Sequence, residues 1–185
     1  MKANSAVVGP NDDVVIPRGS THSDWEVELG VVIGNAAKYV SVEDALDYVA
    51  GYVPFNDVSA RDYQMRTSQW TMGKTFDTFG PMGPALVTAD EIADPHNLDI
   101  HLTIDGEVLQ SSNTRHLIFS VQQLIADLSA VMTLEPGDLI STGTPAGVGG
   151  ARTPRRWLRA GETVRVEIEG LGVLENPVIA AGDAS

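Results

Sequence analysis

The sequence predicts a β-dominated α+β fold, and a few observations carry that prediction. Several stretches alternate apolar and polar residues with period two, whereas only two segments show the three-to-four spacing of an amphipathic helix. Pro, Gly and Asp punctuate the strands closely enough to favour antiparallel pairing.

Taken in order, residues 5–17 read as a short strand pair around "GPNDD". The opening strand follows at 24–33, inside "SDWEVELGVVIG". Trp25, Val27, Leu29, Val31 and Ile33 share one face, and Glu26 and Glu28 share the other. "SVEDALDYVAG" predicts a helix with Ser41 as N-cap, Asp44 three residues later, Val42, Ala45, Leu46 and Val49 on one face, and Gly51 as the stop. "GYVPFNDVSARD" is a short strand running into a polar segment, and 63–75 contains a short helical turn. "LDIHLTIDGEVLQ" alternates through Leu98, Ile100, Leu102 and Ile104, then turns at Asp105-Gly106, a strong hairpin signal. Ser120–Met132 is the second helix, with a Ser120/Gln123 capping box and an apolar stripe of Val121, Leu124, Ile125, Leu128 and Val131. "LIST", a Gly-rich loop and the alternating "ETVRVEIEGLGVLENPV" close the chain. No repeat or linker divides it, so residues 1–185 read as a single domain.

Composition narrows the function. A hydrophobic content of 43% with 20% charged residues is that of a globular chain. A net charge of −13 argues against nucleic acid and anionic membranes as partners. No apolar run reaches the ~18 residues of a membrane span, and the N-terminal stretch has no secretory h-region. With no cysteine there is no disulfide, thiolate nucleophile or Cys-ligated zinc, and a cytoplasmic location is expected. The basic cluster Arg152, Arg155, Arg156 and Arg159 reads as a solvated loop or helix start, or as a patch for an anionic substrate.

Several motifs fall away on spacing. Gly73-Lys74-Thr75 lacks the earlier glycine of a phosphate-binding loop, because Ser68 stands there. "GTPAGVGG" does not fit a dinucleotide fingerprint, the four histidines form no HExxH pair, and no GxSxG elbow occurs. What remains is acidic. Glu26 and Glu28 lie roughly 7 Å apart on one strand face, where like charges repel. Asp57 and Asp62 follow about 30 residues later in "FNDVSARD". Grouped carboxylates without His or Cys suit a hard cation such as Mg²⁺, Mn²⁺ or Ca²⁺. The alternative is a strand whose acids simply face solvent. Lys74, among apolar and Gly/Pro residues, reads as an enolate- or carboxylate-binding group or an ordinary exposed lysine. Arg61 and Gln64 suit holding a carboxylate or water, unless Arg61 pairs with Asp62. "STGTPAGVGG" offers hydroxyl and N–H donors to an anion, or is a plain turn.

"DWEVELGVVIG", "DYVAGYVPFNDVSARD", "GKTFDTFGPMGP", "DPHNL", "NTRHLIFS" and "LEPGDLISTGTPAGVG" together strongly resemble the fumarylacetoacetate hydrolase family, from about residue 5 to the end. The resemblance implies a mixed β-sandwich roll with a few short helices, a homodimer, and one Mg²⁺ or Mn²⁺ held by Glu26, Glu28 and Asp57. It places Lys74, Thr144 and Gln64 in catalytic positions, and Arg61, Gly143 and Thr144 against the substrate. It implies small 2-oxo or 2,4-dioxo acid substrates: hydrolytic C–C cleavage of acylpyruvates first, with decarboxylation or keto–enol isomerisation as alternatives. Longer members carry an N-terminal portion with an Asn-Tyr and a His…Glu element, whereas this chain starts at the segment like "NSAVVGP". A second reading is therefore a metal-binding domain with little activity alone.

Overall fold

A computed structural model describes residues 1–182. The early strands are β1 (Val7–Val8), β2 (Val14–Ile16), β3 (Ser23–Asp24) and β4 (Val27–Ile33), followed by β5 (Val49–Asn56) and β6 (Ser59–Ala60). Two single-turn helices, α1 (Arg61–Gln64) and α2 (Thr71–Lys74), lead into β7 (Gly80–Pro81) and β8 (Val87–Thr88). The hairpin strands β9 (Asp99–Ile104) and β10 (Glu107–Asn113) precede helix α3 (Val121–Val131). Strands β11 (Leu139–Ser141), β12 (Thr163–Ile168) and β13 (Gly172–Ala180) complete the order.

The strands form a five-stranded sheet, β10-β9-β12-β13-β2, and a four-stranded sheet, β11-β4-β5-β8. Pairing is antiparallel except for β13 with β2. The two-stranded pieces are β1-β7 and β3-β6. The inward residues of both sheets meet in one apolar core: Leu29, Val31 and Ile33 from β4 join Ile100, Leu102 and Ile104 from β9 and Val164, Val166 and Ile168 from β12. This is the expected β-dominated α+β architecture, because period-two strands with one apolar face must bury that face against another sheet.

The hairpin turns where expected. Asp105 and Gly106 both take positive φ, 50° and 83°, as a two-residue turn matching the strand twist requires. The helix also forms as expected, with the Ser120/Gln123 capping box intact and Val121 and Ile125 buried.

Other elements differ. The helix expected from "SVEDALDYVAG" is only a 3₁₀ turn at Ala45–Tyr48, and Val49–Asn56 is strand. Ser41 and Asp44 hydrogen-bond each other as a local turn (2.8 and 3.2 Å). Residues 49–56 are claimed on one side by β4 and on the other by β8, and ladder bonds on two edges outweigh one weak helical stripe. The pair expected within residues 5–17 is absent as a pair: β1 runs parallel to β7, and β2 runs parallel to β13. The opening strand is interrupted at Trp25–Glu26. There the Glu26 N–H donates to Asn56 Oδ1 and the Val27 N–H to Gln110 Oε1, both at 3.0 Å, so side chains replace ladder partners.

Candidate metal centre and cavity

Both faces of the opening strand are buried. Trp25, Val27, Leu29, Val31 and Ile33 sit in the core, yet Glu26 and Glu28 on the other face are only 6% and 4% exposed. The solvent-facing alternative is thereby removed. β5, pairing with β4, ends at Asn56, and the Asp57 N–H donates to the Glu26 carbonyl (2.9 Å). The strand pairing thus carries Asp57 to the two glutamates, and each of the three carboxylates offers an oxygen within 4.8 Å of the others.

Cations surround this group. Lys74, at the end of α2, donates to Glu26 Oε2 (2.6 Å) and Asp57 Oδ2 (2.5 Å). Arg61, opening α1, places Nη2 2.6 Å from Glu26 Oε1, Nε on Asp24 Oδ2 at 2.9 Å and Nη1 on Gln64 Oε1 at 2.9 Å. Its partner is therefore not Asp62, which instead accepts from Ser20 Oγ and the Thr21 N–H (2.8 and 2.9 Å). Lys2 Nζ lies 2.8 Å from Asp57 Oδ1.

Four buried or largely buried carboxylates (Asp24, Glu26, Glu28, Asp57) thus meet three cationic side chains, and Glu28 is the one without a cation. Its partners are neutral: the Ser141 hydroxyl, and the Gly143 N–H at 2.8 Å. Burial, followed by the nearby Asp57 and Glu26 charges, therefore pushes Glu28 up to about 7. Burial also raises Glu26, against the opposing pull of Lys74 and Arg61. Asp57 goes the other way: burial would raise it, but Lys2 and Lys74 outweigh that and hold it low. Lys74 is raised, because Asp57 and Glu26 overcome its burial.

The donor set fits a hard divalent ion. It consists of carboxylate oxygens only, and one carboxylate lacks a counter-charge.

The three acids open onto a cavity of about 870 Å³ that is also lined by Lys74, Arg61, Gln64, Gly143 and Thr144, so the metal-binding, catalytic and substrate-binding positions implied by the resemblance meet here. Met65, Trp70 and Trp157 supply an apolar wall, and Arg155 alone of the basic cluster lines it. Arg156 instead pairs with Glu162 (3.1 Å) and lies over the Trp25 ring. The "STGTP" loop spends most of its donors inward: Ser141 and Gly143 on Glu28, and the Thr142 hydroxyl on the Leu29 carbonyl (2.9 Å). Thr144 Oγ1 accepts from Gln110 Nε2 (2.8 Å), which leaves its own hydrogen for the cavity.

Three contributors were not identified from the sequence. Asp24, fully buried, accepts from the N–H groups of Trp25, Gly149 and Gly150 as well as from Arg61. That close approach requires glycine at 149, where a Cβ would stand 1.9 Å from the Arg156 carbonyl oxygen. Gln110, 1% exposed on β10, ties the Thr144 loop to the Glu26 strand. Lys2 is the third. Asp24 sits beside the paired glutamates in sequence and was legible as a neighbour; Gln110 and Lys2 carry no local signal.

Comparison with known proteins agrees with this geometry. Residues 1–179 match the family described as fumarylacetoacetate (FAA) hydrolase, C-terminal. The chain belongs to the fumarylacetoacetate hydrolase family. The mitochondrial oxaloacetate tautomerase Fahd2a of Rattus norvegicus is 52% identical over 179 residues, covering 96% of this chain and 57% of that protein. A relative from Burkholderia cenocepacia is 58% identical over 173 residues, 92% of this chain and 61% of its own length. The chain thus spans about three-fifths of the length of these curated relatives. Among solved structures, the 2-hydroxyhepta-2,4-diene-1,7-dioate isomerase of Mycobacterium marinum superposes with a TM-score of 0.91 at 44% identity, covering 98% of this chain and 68% of its own. The fumarylacetoacetate hydrolase of Exiguobacterium antarcticum gives 0.92 at 41%, covering 97% and 65%. The chain is a member of an enzyme family whose relatives are hydrolases, isomerases and tautomerases. Among the described residues, no helix is long and apolar enough to cross a membrane.

Proposed function

We propose that residues 1–185 form one catalytic domain of a divalent-metal-dependent enzyme that moves protons on small 2-oxo acids through an enolate. The observation that carries this reading is the Glu26–Glu28–Asp57 group beside Lys74 on the wall of the 870 Å³ cavity. A Mg²⁺ or Mn²⁺ ion held by those three residues supplies Lewis acidity toward a 2-oxo-carboxylate.

The chain's own side chains do the rest. Lys74 keeps a protonated ammonium at the cavity wall and donates to the oxygen on which enolate charge develops. The Thr144 hydroxyl, aligned by Gln110, adds a second donor. Gln64 and Arg61, fixed to each other and to Asp24, orient the substrate carboxylate. Gly143 acts through Glu28, which its N–H holds in place. Trp70, Trp157 and Met65 give the cavity an apolar wall.

Keto–enol interconversion needs only proton transfer between carbon and oxygen: Lys74 and Thr144 serve the oxygen, and water in the cavity takes up or returns the carbon proton. The names of the rat relative, an oxaloacetate tautomerase, and of the Mycobacterium marinum isomerase support this reading. Hydrolytic C–C cleavage of acylpyruvates, the reaction favoured by the sequence, is the second reading, and the Exiguobacterium antarcticum hydrolase supports it. A cytoplasmic location and a homodimer complete the proposal.

The test is turnover of the oxaloacetate enol and of acetylpyruvate, with Mn²⁺ and with EDTA. The expected result is Mn²⁺-dependent enol loss that Glu26→Ala and Asp57→Ala abolish. Undiminished turnover in EDTA overturns the metal reading, and acetylpyruvate cleavage without enol loss favours hydrolysis. Mn²⁺-dependent thermal stabilisation with neither activity identifies a binding domain.

A further inference from the structure

The two lysines that flank Asp57 are seated differently. Lys74 Nζ rests on carboxylate oxygens, Glu26 Oε2 and Asp57 Oδ2, and lines the cavity. A divalent ion held by Glu26, Glu28 and Asp57 would compete with Lys74 for these carboxylates. Lys2 Nζ donates to two backbone carbonyls, Val58 (2.8 Å) and Lys74 (2.5 Å), while standing 2.8 Å from Asp57 Oδ1. Val58 directly follows the metal-ligating Asp57, so one ammonium joins the segment carrying Asp57 to the turn carrying Lys74. Its side chain is 13% exposed, with the Phe79 ring 5.8 Å away. Its own segment is secured by the Ala3 N–H on Thr75 Oγ1 (2.5 Å) and by the pairing of β1 with β7. Backbone carbonyls do not leave when a cation arrives, so Lys2 has a seat that persists and Lys74 does not.

We propose that Lys2 is a positioning residue of the metal centre: it fixes the Asp57 carboxylate and the Lys74 turn for a divalent cation, which displaces Lys74 from Glu26 and Asp57. The inference rests on the metal reading above. Its discriminating feature is one of sign. Removing either lysine deletes one positive charge within hydrogen-bonding distance of Asp57, and on charge alone both deletions tighten cation binding. Loss of positioning weakens binding at Lys2 only, by the about 10-fold or more typical of partners that orient metal ligands.

The sequence contains no cysteine, which makes chemical replacement at this position clean. Lys2→Cys is alkylated in denaturant, with 2-bromoethylamine to restore an ammonium of lysine length or with iodoacetamide to leave a neutral adduct, and refolded. Mn²⁺ alone is then titrated by calorimetry. The expected result is about 10-fold weaker binding by the neutral adduct, recovery in the aminoethylated protein, and binding by Lys74→Met at least as tight as in the unaltered chain. Lys2→Met, produced without unfolding, is the second variant and shows the same weakening if the neutral adduct fails to refold. Binding as tight as, or tighter than, that of the unaltered chain after Lys2 is neutralised overturns the proposal, as does failure of aminoethylation to restore it. Lack of Mn²⁺ binding by the unaltered chain overturns the metal reading itself, and this inference with it.

Discussion

Glu28 is the carboxylate without a cation, and replacing it with glutamine tests the charge balance of the whole site. In the metal-free protein, burial and the Asp57 and Glu26 charges raise Glu28 from the ordinary 4.5 to about 7. The folded state therefore holds this proton longer than the unfolded chain does. The contribution of Glu28 to metal-free stability is full below about pH 4.5, falls as pH rises to about 7, and stays lowered above it. At 1.36 kcal/mol per pH unit, the penalty is on the order of 3 kcal/mol. The Ser141 hydroxyl and the Gly143 N–H donate to the same Glu28 oxygen, so glutamine keeps an acceptor for both but cannot ionise, and it escapes that penalty. Glu28→Gln in EDTA at pH 8 should unfold about 3 kcal/mol harder than the wild type, roughly 6–12 °C higher in Tm for a domain of this size. At pH 4.5 the two should agree within about 1 kcal/mol. Adding Mn²⁺ at pH 8 should narrow the gap, because hundredfold excess over Kd stabilises the wild type by about 2.7 kcal/mol and the variant by less. Urea denaturation at both pH values, with EDTA and with Mn²⁺, measures all four quantities. A Glu28→Gln protein less stable than wild type at pH 8 in EDTA would refute the reasoning, since Glu28 would then be held ionised by its neutral partners.

Two further outcomes follow from the same geometry. Asp24→Ala removes the acceptor of three N–H groups and strips Arg61 of one carboxylate; urea denaturation should show a loss of about 3–5 kcal/mol, and a loss below about 1 kcal/mol would contradict the role given to this residue. Ile118 and Phe119 are 90% and 59% exposed beside a second cavity that shares the Gly143–Ala146 loop, so light scattering at micromolar concentration should report a dimer, and a monomeric mass would contradict it.

Much of the fold was legible because its signals are local. Alternation from Trp25 to Ile33 specified which residues enter the core, Asp105-Gly106 marked the hairpin, and Ser120 with Gln123 marked the start of α3. Residues 41–56 misled because a real turn signal, Ser41 with Asp44, precedes a segment whose strand partners lie elsewhere in the chain. The N-terminal strands misled for the same reason: Val7 and Val8 find Gly80 and Pro81, over 70 residues away.

For the site, the sequence by itself determined the chemistry: three carboxylates, a lysine and a hydroxyl-bearing loop, without sulfur ligands or a histidine cluster, in an order specific to one family. Spacing along the strand left the role of the acids open, and the ordered motifs that resemble the family supplied it. Only the tertiary structure decided that Glu26 and Glu28 are buried rather than solvated, that Arg61 serves Asp24 and Glu26 rather than Asp62, and that Lys2, outside the paired strands, reaches Asp57. Burial and counter-charge depend on which distant segments pack together, and that pairing is set by the whole fold.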